Sequence, residues 1–474
     1  MTDPNQRTRD GNLRLAVAYG ALVVVPAVIA IVLLSRGGET TATLRAEKAG
    51  FPLITLLIAV SVVVVACKLS GMLMQRIGQP PVTGEIVAGI VLGPSVLGAF
   101  WPAGASAVLP ASIVPNLNVL AQVGVVLFLM LAGLEINTAL LRGRGKVALL
   151  VSHVSIAFPS MLGVGVAVFA YTEFAPEGIG FLAFALFFGV SLSITALPVL
   201  VRILQDIGMF GSKVGVLALT CALVDDVTAW TLLAIVVALV TASSLGGVAV
   251  TIGLTAVFVA LLFFVVKPLL ARMVTRFTVP TLNRIAPLMI VATLLAAAAT
   301  EWIGVHAMFG AFLFGVIIPR DNPVADWLHD KVGGLTTALM LPLFFAFSGL
   351  RTNIRLLSDL TDWLWCIGIL AVAIIGKFGG ATIAALAAGE TSNRSLQIGS
   401  LMNCRGLTEL IVLNIGLDLG VLSPKLFTML VLMALVSTAM AAPLTTYLAR
   451  RAGDHPITND YSSADTIKKR VDAG

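Results

Sequence analysis

The sequence predicts an all-α polytopic membrane protein. Three observations carry that prediction. Of the 474 residues, 58% are hydrophobic and only 11% are charged. A soluble domain is typically about 45–50% apolar and about 25% charged, so no soluble surface could be built from this composition. The apolar residues fall in long runs, and a spanning helix needs roughly 20 of them in succession. The charges gather in the gaps between runs, and this distribution accounts for the net charge of +6 without a nucleic-acid partner.

About fourteen segments reach or approach spanning length: 13–34, 51–75, 81–100, 116–136, 146–172, 179–204, 213–243, 246–271, 284–301, 303–319, 335–350, 363–389, 394–417 and 424–449. The short segments 303–319 and 335–350 are read as spanning or re-entrant. Segment 13–34 has a long apolar core and no clear cleavage site, so it reads as a retained helix rather than a signal peptide. Three divisions follow: an N-terminal stretch 1–50 with one extra helix, a membrane domain 51–449, and a short polar tail 450–474.

Alternate loops are basic. Arg7, Arg9 and Arg14 precede the first segment. Arg76, the run Arg142-Gly-Arg144-Gly-Lys146, Arg202 with Lys213, Lys267 with Arg272, Arg276 and Arg284, and the tail from Arg450 follow on every second loop. The intervening loops carry little positive charge, apart from Arg351 and Arg355 beside Asp359 and Asp362. By the positive-inside rule both termini are cytoplasmic, as expected of a multi-pass protein of the plasma (inner) membrane. The four cysteines, Cys67, Cys221, Cys366 and Cys404, lie in apolar runs without a CxxC spacing and read as buried hydrophobes. No Walker A sequence is present, and neither a cofactor nor an enzymatic activity is expected.

The chemistry concentrates in a few polar interruptions. In Cys221-Ala-Leu-Val-Asp225-Asp226-Val-Thr-Ala-Trp230 two adjacent carboxylates sit inside an apolar helix. A central Asp costs about 2.5–3.5 kcal/mol on insertion scales, and two charged neighbours also repel. A carboxylate that holds either a proton or a cation is what an exchanger requires. Neighbouring helical residues point about 100° apart, so the two side chains face different partners. One faces an ion cavity; the other needs a fixed cation. Lys377, in Ile-Ile-Gly376-Lys377-Phe-Gly379-Gly380, is midway along its segment and suits that role.

Two segments contain helix-breaking polar stretches. Ser191-Leu-Ser193-Ile-Thr195-Ala-Leu-Pro198-Val joins hydroxyls to a proline, which either kinks a helix or opens it to expose carbonyls at the midplane. Asp226, Thr195 and freed carbonyls would then give a sodium or potassium ion its oxygen ligands. In Met402-Asn403-Cys-Arg405-Gly406-Leu-Thr408-Glu409-Leu, Arg405 and Glu409 are four residues apart and can pair with each other or shape a cavity. Glu85 and Glu135 read as interfacial, and His153 and His306 as core histidines.

Taken in order, these stretches resemble the monovalent cation–proton antiporter superfamily, in its second branch. The resemblance rests on Gln79-Pro-Pro-Val-Thr-Gly-Glu-Ile-Val-Ala-Gly-Ile-Val-Leu-Gly-Pro-Ser, Val125-Val-Leu-Phe-Leu-Met-Leu-Ala-Gly-Leu-Glu, Thr195-Ala-Leu-Pro-Val-Leu and the Asp225–Asp226 segment. It continues through His306-Ala-Met-Phe-Gly-Ala-Phe, Pro342-Leu-Phe-Phe-Ala-Phe-Ser-Gly-Leu, Gly376-Lys377 and Asn403-Cys-Arg-Gly-Leu-Thr-Glu-Leu, spanning roughly 75–445. The last two resemble the plant exchangers most.

The resemblance implies inverted repeats with two crossed discontinuous helices, near 184–204 and 394–417, and core and dimerisation subdomains working by alternating access. It implies a homodimer that antiports protons and a monovalent cation, sodium or potassium. Asp226 would be the ion and proton carrier and Asp225 the partner of Lys377. Members with two acidic residues are generally electrogenic. Two departures leave the ion open: Ala196 stands where some sodium-selective members carry an acid, and the regulatory domain of the larger potassium exporters is absent. The alternative is proton-driven export of an organic cation or metabolite on the same scaffold. Only 7% of residues are aromatic and no aromatic stripe converges on the aspartates, which weighs against it. No carbonyl-lined filter sequence favours a channel.

Overall fold

The computed structural model describes residues 53–135, 145–241, 245–274, 279–319 and 322–452. Segment 13–34 with its flanking arginines, Arg142 and Arg144, and the tail from 453 lie outside the described residues, as does the side chain of Glu135.

The described residues are helical throughout. Ten helices are long and apolar enough to cross a bilayer. Two shorter apolar ones, Pro287–Ile303 and Ala307–Ile317, and one interrupted segment, Ser392–Met402 with Leu407–Asp418, bring the described segments to thirteen. Helix is the only way these apolar stretches can satisfy their own backbone in hydrocarbon. Large apolar side chains point outward, with Ile54, Phe264 and Trp302 exposed by 76%, 81% and 83%, a surface suited to lipid rather than water. Residues 335–350 are not an independent re-entrant segment. They belong to a 34-residue span, Pro323–Leu356, which includes two π-helical turns.

The order of segments carries an internal repeat. Counting from Leu53, the fifth segment is interrupted between Phe181–Ser193 and Leu197–Asp206. Counting afresh from Val279, past an intervening helix at 245–274, the fifth segment is again interrupted, between Ser392–Met402 and Leu407–Asp418. The two interrupted segments are seven passes apart, an odd number, so they run in opposite directions through the membrane. That is the inverted repeat expected from the sequence.

Two sets of helices pack mainly among themselves. Leu53–Arg76, Pro81–Leu92, Val114–Glu135, Ala307–Ile317 and Leu341–Arg351 form one set. Gly145–Phe174, Phe181–Ser193, Lys213–Thr241, Ser392–Met402 and Pro424–Ala452 form the other, with the Leu360–Ala387 helix and the half-helices Leu197–Asp206 and Leu407–Asp418. Small residues allow the close approach: a Cβ on Gly84 would sit 2.5 Å from the Ser70 carbonyl oxygen, and one on Gly349 would collide with the Ile86 carbonyl.

Four contacts join the sets at one end. Arg351, at the end of its helix, pairs with Asp418 at 2.6 Å and donates to Asn414 Oδ1 at 3.1 Å. Asn414 Nδ2 donates to Ser348 Oγ at 2.7 Å, and the Asn353 amide donates to Thr428 Oγ1 at 3.2 Å. At the other end a cleft of about 720 Å³ separates the sets, lined by Gln79, Arg202, Asp206, Tyr447 and Arg450 among others.

Candidate ion-exchange site

The site is built where two helix breaks meet. The chain is extended from Ile194 to Ala196, with Pro198 in the first turn of the following half-helix, where its missing N–H costs nothing. In the second break Gly406 adopts φ +146°, a region closed to residues with a Cβ, and starts the half-helix Leu407–Asp418. The breaks meet directly: the Ala196 amide donates to the Cys404 carbonyl at 3.1 Å, and Thr195 Oγ1 lies 3.1 Å from the Met402 carbonyl. Non-helical backbone is tolerated here because Ile194, Thr195, Ala196, Asn403, Cys404 and Arg405 are all buried in protein.

An interrupted helix leaves its last carbonyls without partners and carries partial negative charge at that end. Two cations serve the end at Ser193. Arg405 donates to the Ser191 carbonyl at 3.2 Å and to the Leu192 carbonyl at 2.6 Å. Lys377 Nζ donates to the Ser193 carbonyl at 2.5 Å. Arg405 also pairs with Glu409 at 3.0 Å, the internal pair that the four-residue spacing allows. The Ser191 and Ser193 hydroxyls bond back to carbonyls of their own helix. Ser193 therefore contributes a carbonyl to the site, not its hydroxyl.

Asp225 and Asp226 project from the Lys213–Thr241 helix and meet different surroundings. Asp225 is fully buried and ion-paired to Lys377 at 2.8 Å. It also accepts from Ser152 Oγ at 2.5 Å, from Ser155 Oγ at 3.0 Å and from Thr195 Oγ1 at 2.8 Å. Asp226 is 7% exposed, and its Oδ1 is buried without a hydrogen-bond partner. Sequence reasoning grouped Thr195 with Asp226; in the structure its hydroxyl donates to Asp225. The helical stagger of the doublet explains the change, because the first break packs against the Asp225 side.

Lys377 sits in a π-helical turn, Ile375–Gly379, a form that recurs at functional sites. Gly376 lets this turn approach Pro159 so closely that a Cβ would be 2.9 Å from the proline Cα. Pro159 has no amide hydrogen, so the Ser155 carbonyl four residues earlier loses its helical donor. Lys377 Nζ takes that carbonyl at 3.0 Å. Ser152, Ser155 and Pro159 were missed in the sequence. Their signal was present, as two serines three apart with a proline four residues on, within one apolar helix.

Glu85 is 8% exposed, in the first turns of the Pro81–Leu92 helix. The reading of both histidines as core residues is corrected. His153 is on the exposed side of its helix, bonded to the Leu149 carbonyl at 2.7 Å. His306 is half-buried and caps the Ala307–Ile317 helix by accepting from the Met308 amide. The four cysteines are free and buried.

Crossed half-helices with buried charges at the break define a secondary transporter, since ion sites of this type are formed from discontinuous helices at the midplane. The family follows from comparison with known proteins. The sodium/hydrogen exchanger transmembrane family matches residues 60–450, and the chain belongs to that family of transporters. It is 40% identical over 400 residues to the Na(+)/H(+) antiporter NhaS4 of Synechocystis, covering 83% of this chain and 96% of that one. It is 39% identical over 394 residues to the Cation/H(+) antiporter 17 of Arabidopsis thaliana, covering 82% of this chain but only 48% of the plant protein. The chain thus spans about half the length of the plant relative. In fold it is similar to the sodium proton antiporter MjNhaP1 of Methanocaldococcus jannaschii, with a TM-score of 0.63 at 11% identity, over 84% of this chain and 97% of that one.

Proposed function

We propose that this chain exchanges protons for a monovalent cation, sodium or potassium, with Asp226 as the carrier that binds one or the other. The observation that carries the reading is the difference between the two aspartates. Asp225 is held by Lys377, Ser152, Ser155 and Thr195. Asp226 has a buried oxygen with no partner. A buried unpaired carboxylate oxygen is costly, and either a proton or a dehydrated cation relieves that cost. Because both relieve it at the same group, binding of one opposes binding of the other.

Lys377 and Arg405 keep the crossing neutral enough to exist in a bilayer and fix the carbonyl end at Ser193. Pro198 starts the opposing half-helix. When the cation binds, Lys377 is placed to yield its own proton through Asp225, and exchange of two protons for one cation would move net charge. The membrane potential then contributes about 2.3 kcal/mol per charge per 100 mV.

The two helix sets support alternating access. The set bearing the aspartates is the moving core, and the other is the dimerisation part of a homodimer. By the positive-inside rule, the basic residues at the cleft, Arg202 and Arg450, favour a cytoplasmic side for it and for both termini, in the plasma membrane. The Arg351–Asp418 contact then closes the outer side, giving a cytoplasm-facing state. Sodium is the ion named for the cyanobacterial relative, and the same ion is the first to try here. The test is exchange in proteoliposomes with an internal pH dye. Sodium or potassium should dissipate an imposed proton gradient in the native protein and not in Asp226→Asn. A gradient indifferent to lithium, sodium, potassium and rubidium overturns the proposal.

A further inference from the structure

Asp226 Oδ1 is not alone at the crossing. Asn403 is 3% exposed, and its Oδ1 is also buried without a hydrogen-bond partner. Its place is fixed by its neighbours. The Met402 carbonyl lies against the Thr195 hydroxyl, which reaches Asp225, and Cys404 offers its carbonyl to the Ala196 amide. Asn403 therefore lies within the stretch of the second break that meets Thr195 and Ala196 of the first. Its backbone amide closes the preceding half-helix on Gly399 at 3.1 Å.

The other polar side chains of the two breaks have employment. Thr195 serves Asp225, Ser191 and Ser193 bond to their own helix, and Arg405 holds the Ser191 and Leu192 carbonyls. Glu409 Oε2 is unpartnered too, but its carboxylate is ion-paired to Arg405 through Oε1. A neutral amide oxygen buried without a donor costs about 1–3 kcal/mol. A hard monovalent cation, which seeks oxygen ligands, removes that cost, and its size decides how well the amide oxygen reaches it.

We propose that Asn403 is the specificity-determining ligand of the transported cation, placing its amide oxygen opposite Asp226. This rests on the assignment of Asp226 as carrier. Asp226 supplies the charge for which proton and cation compete, and Asn403 supplies a neutral dipole whose position discriminates among cations.

The experiment is initial-rate exchange in proteoliposomes for the native chain, Asn403→Ala and Asn403→Ser, with lithium, sodium, potassium and rubidium at high pH, where proton competition is least. Asn403→Ala should raise the cation half-saturation about ten- to hundredfold, the scale of one lost contact to a charge, and compress the preference among the four ions. Asn403→Ser, which keeps an oxygen, should recover part of the affinity, and it carries the test if the alanine variant does not fold. A folded variant with lower maximal rate but native half-saturation and ion order has lost only structure and overturns the proposal. Native protein that exchanges none of the four ions sinks the carrier assignment instead, before any variant is compared.

Discussion

Lys377 Nζ lies 2.8 Å from Asp225 Oδ2, and both side chains are fully buried. The pair is neutral as a unit, and each member is also bonded to helix 145–174, through Ser152 and Ser155. It functions as a bolt through three helices. Removing one half leaves the other charged and unpaired. Lys377→Ala should therefore destabilise the protein by about 3–5 kcal/mol, and the double variant Asp225→Asn/Lys377→Ala by less than the two single changes combined. Thermal unfolding in detergent measures both. Additive losses would mean that the two groups do not depend on each other.

Pro159 prepares the lysine's seat by freeing the Ser155 carbonyl. Pro159→Ala returns an amide that competes for that carbonyl. The helix itself gains, since a proline costs about 3 kcal/mol in a helix interior. The exchange rate should nonetheless fall, with normal or raised thermal stability. Unchanged transport in this variant would show that the carbonyl is dispensable to Lys377.

Gly406 combines φ +146° with a neighbour: a Cβ there would stand 2.8 Å from Val199 Cγ2. Gly406→Ala should cost about 1–3 kcal/mol from backbone strain alone. The Val199→Ala/Gly406→Ala double variant relieves the clash but not the strain, so thermal unfolding should show partial recovery. Full recovery would assign the whole penalty to packing.

Arg351 reaches Asp418 and Asn414 across the boundary between the two helix sets, and its side chain is 21% exposed. Such a partly exposed pair adds little to global stability, about 0–1 kcal/mol. Its effect should be local. Arg351→Gln should raise amide hydrogen exchange in 348–354 and 410–418 while leaving 152–160 and 221–230 unchanged. Equal loss of protection in all four stretches would make it a general destabilisation.

Much of this arrangement is legible in the chain. Asp225–Asp226, Lys377 and the breaks at Thr195–Pro198 and Asn403–Gly406 stand out because a polar group in a long apolar run has few innocent explanations. Which groups meet is harder to read. Ser152 and Ser155 resemble ordinary helix serines until the helix bearing Lys377 packs on Pro159. Thr195 sits at the right break, yet its hydroxyl bonds Asp225 rather than Asp226, a choice made by helix rotation and not by spacing. His153 lies in an apolar run that faces outward, so apolarity there marks lipid contact rather than a core. The short segment at 335–350 vanishes into a longer helix because π-helical turns carry it through residues that break the apolar run.

The most direct test is proton release on cation binding by the purified protein, followed by calorimetry in buffers of different ionisation heats. Sodium or potassium added near neutral pH should displace protons from the native protein. Asp226→Asn should bind neither in exchange and release none, while remaining folded. Equal proton release from Asp226→Asn would contradict the assignment of Asp226 as the group for which proton and cation compete.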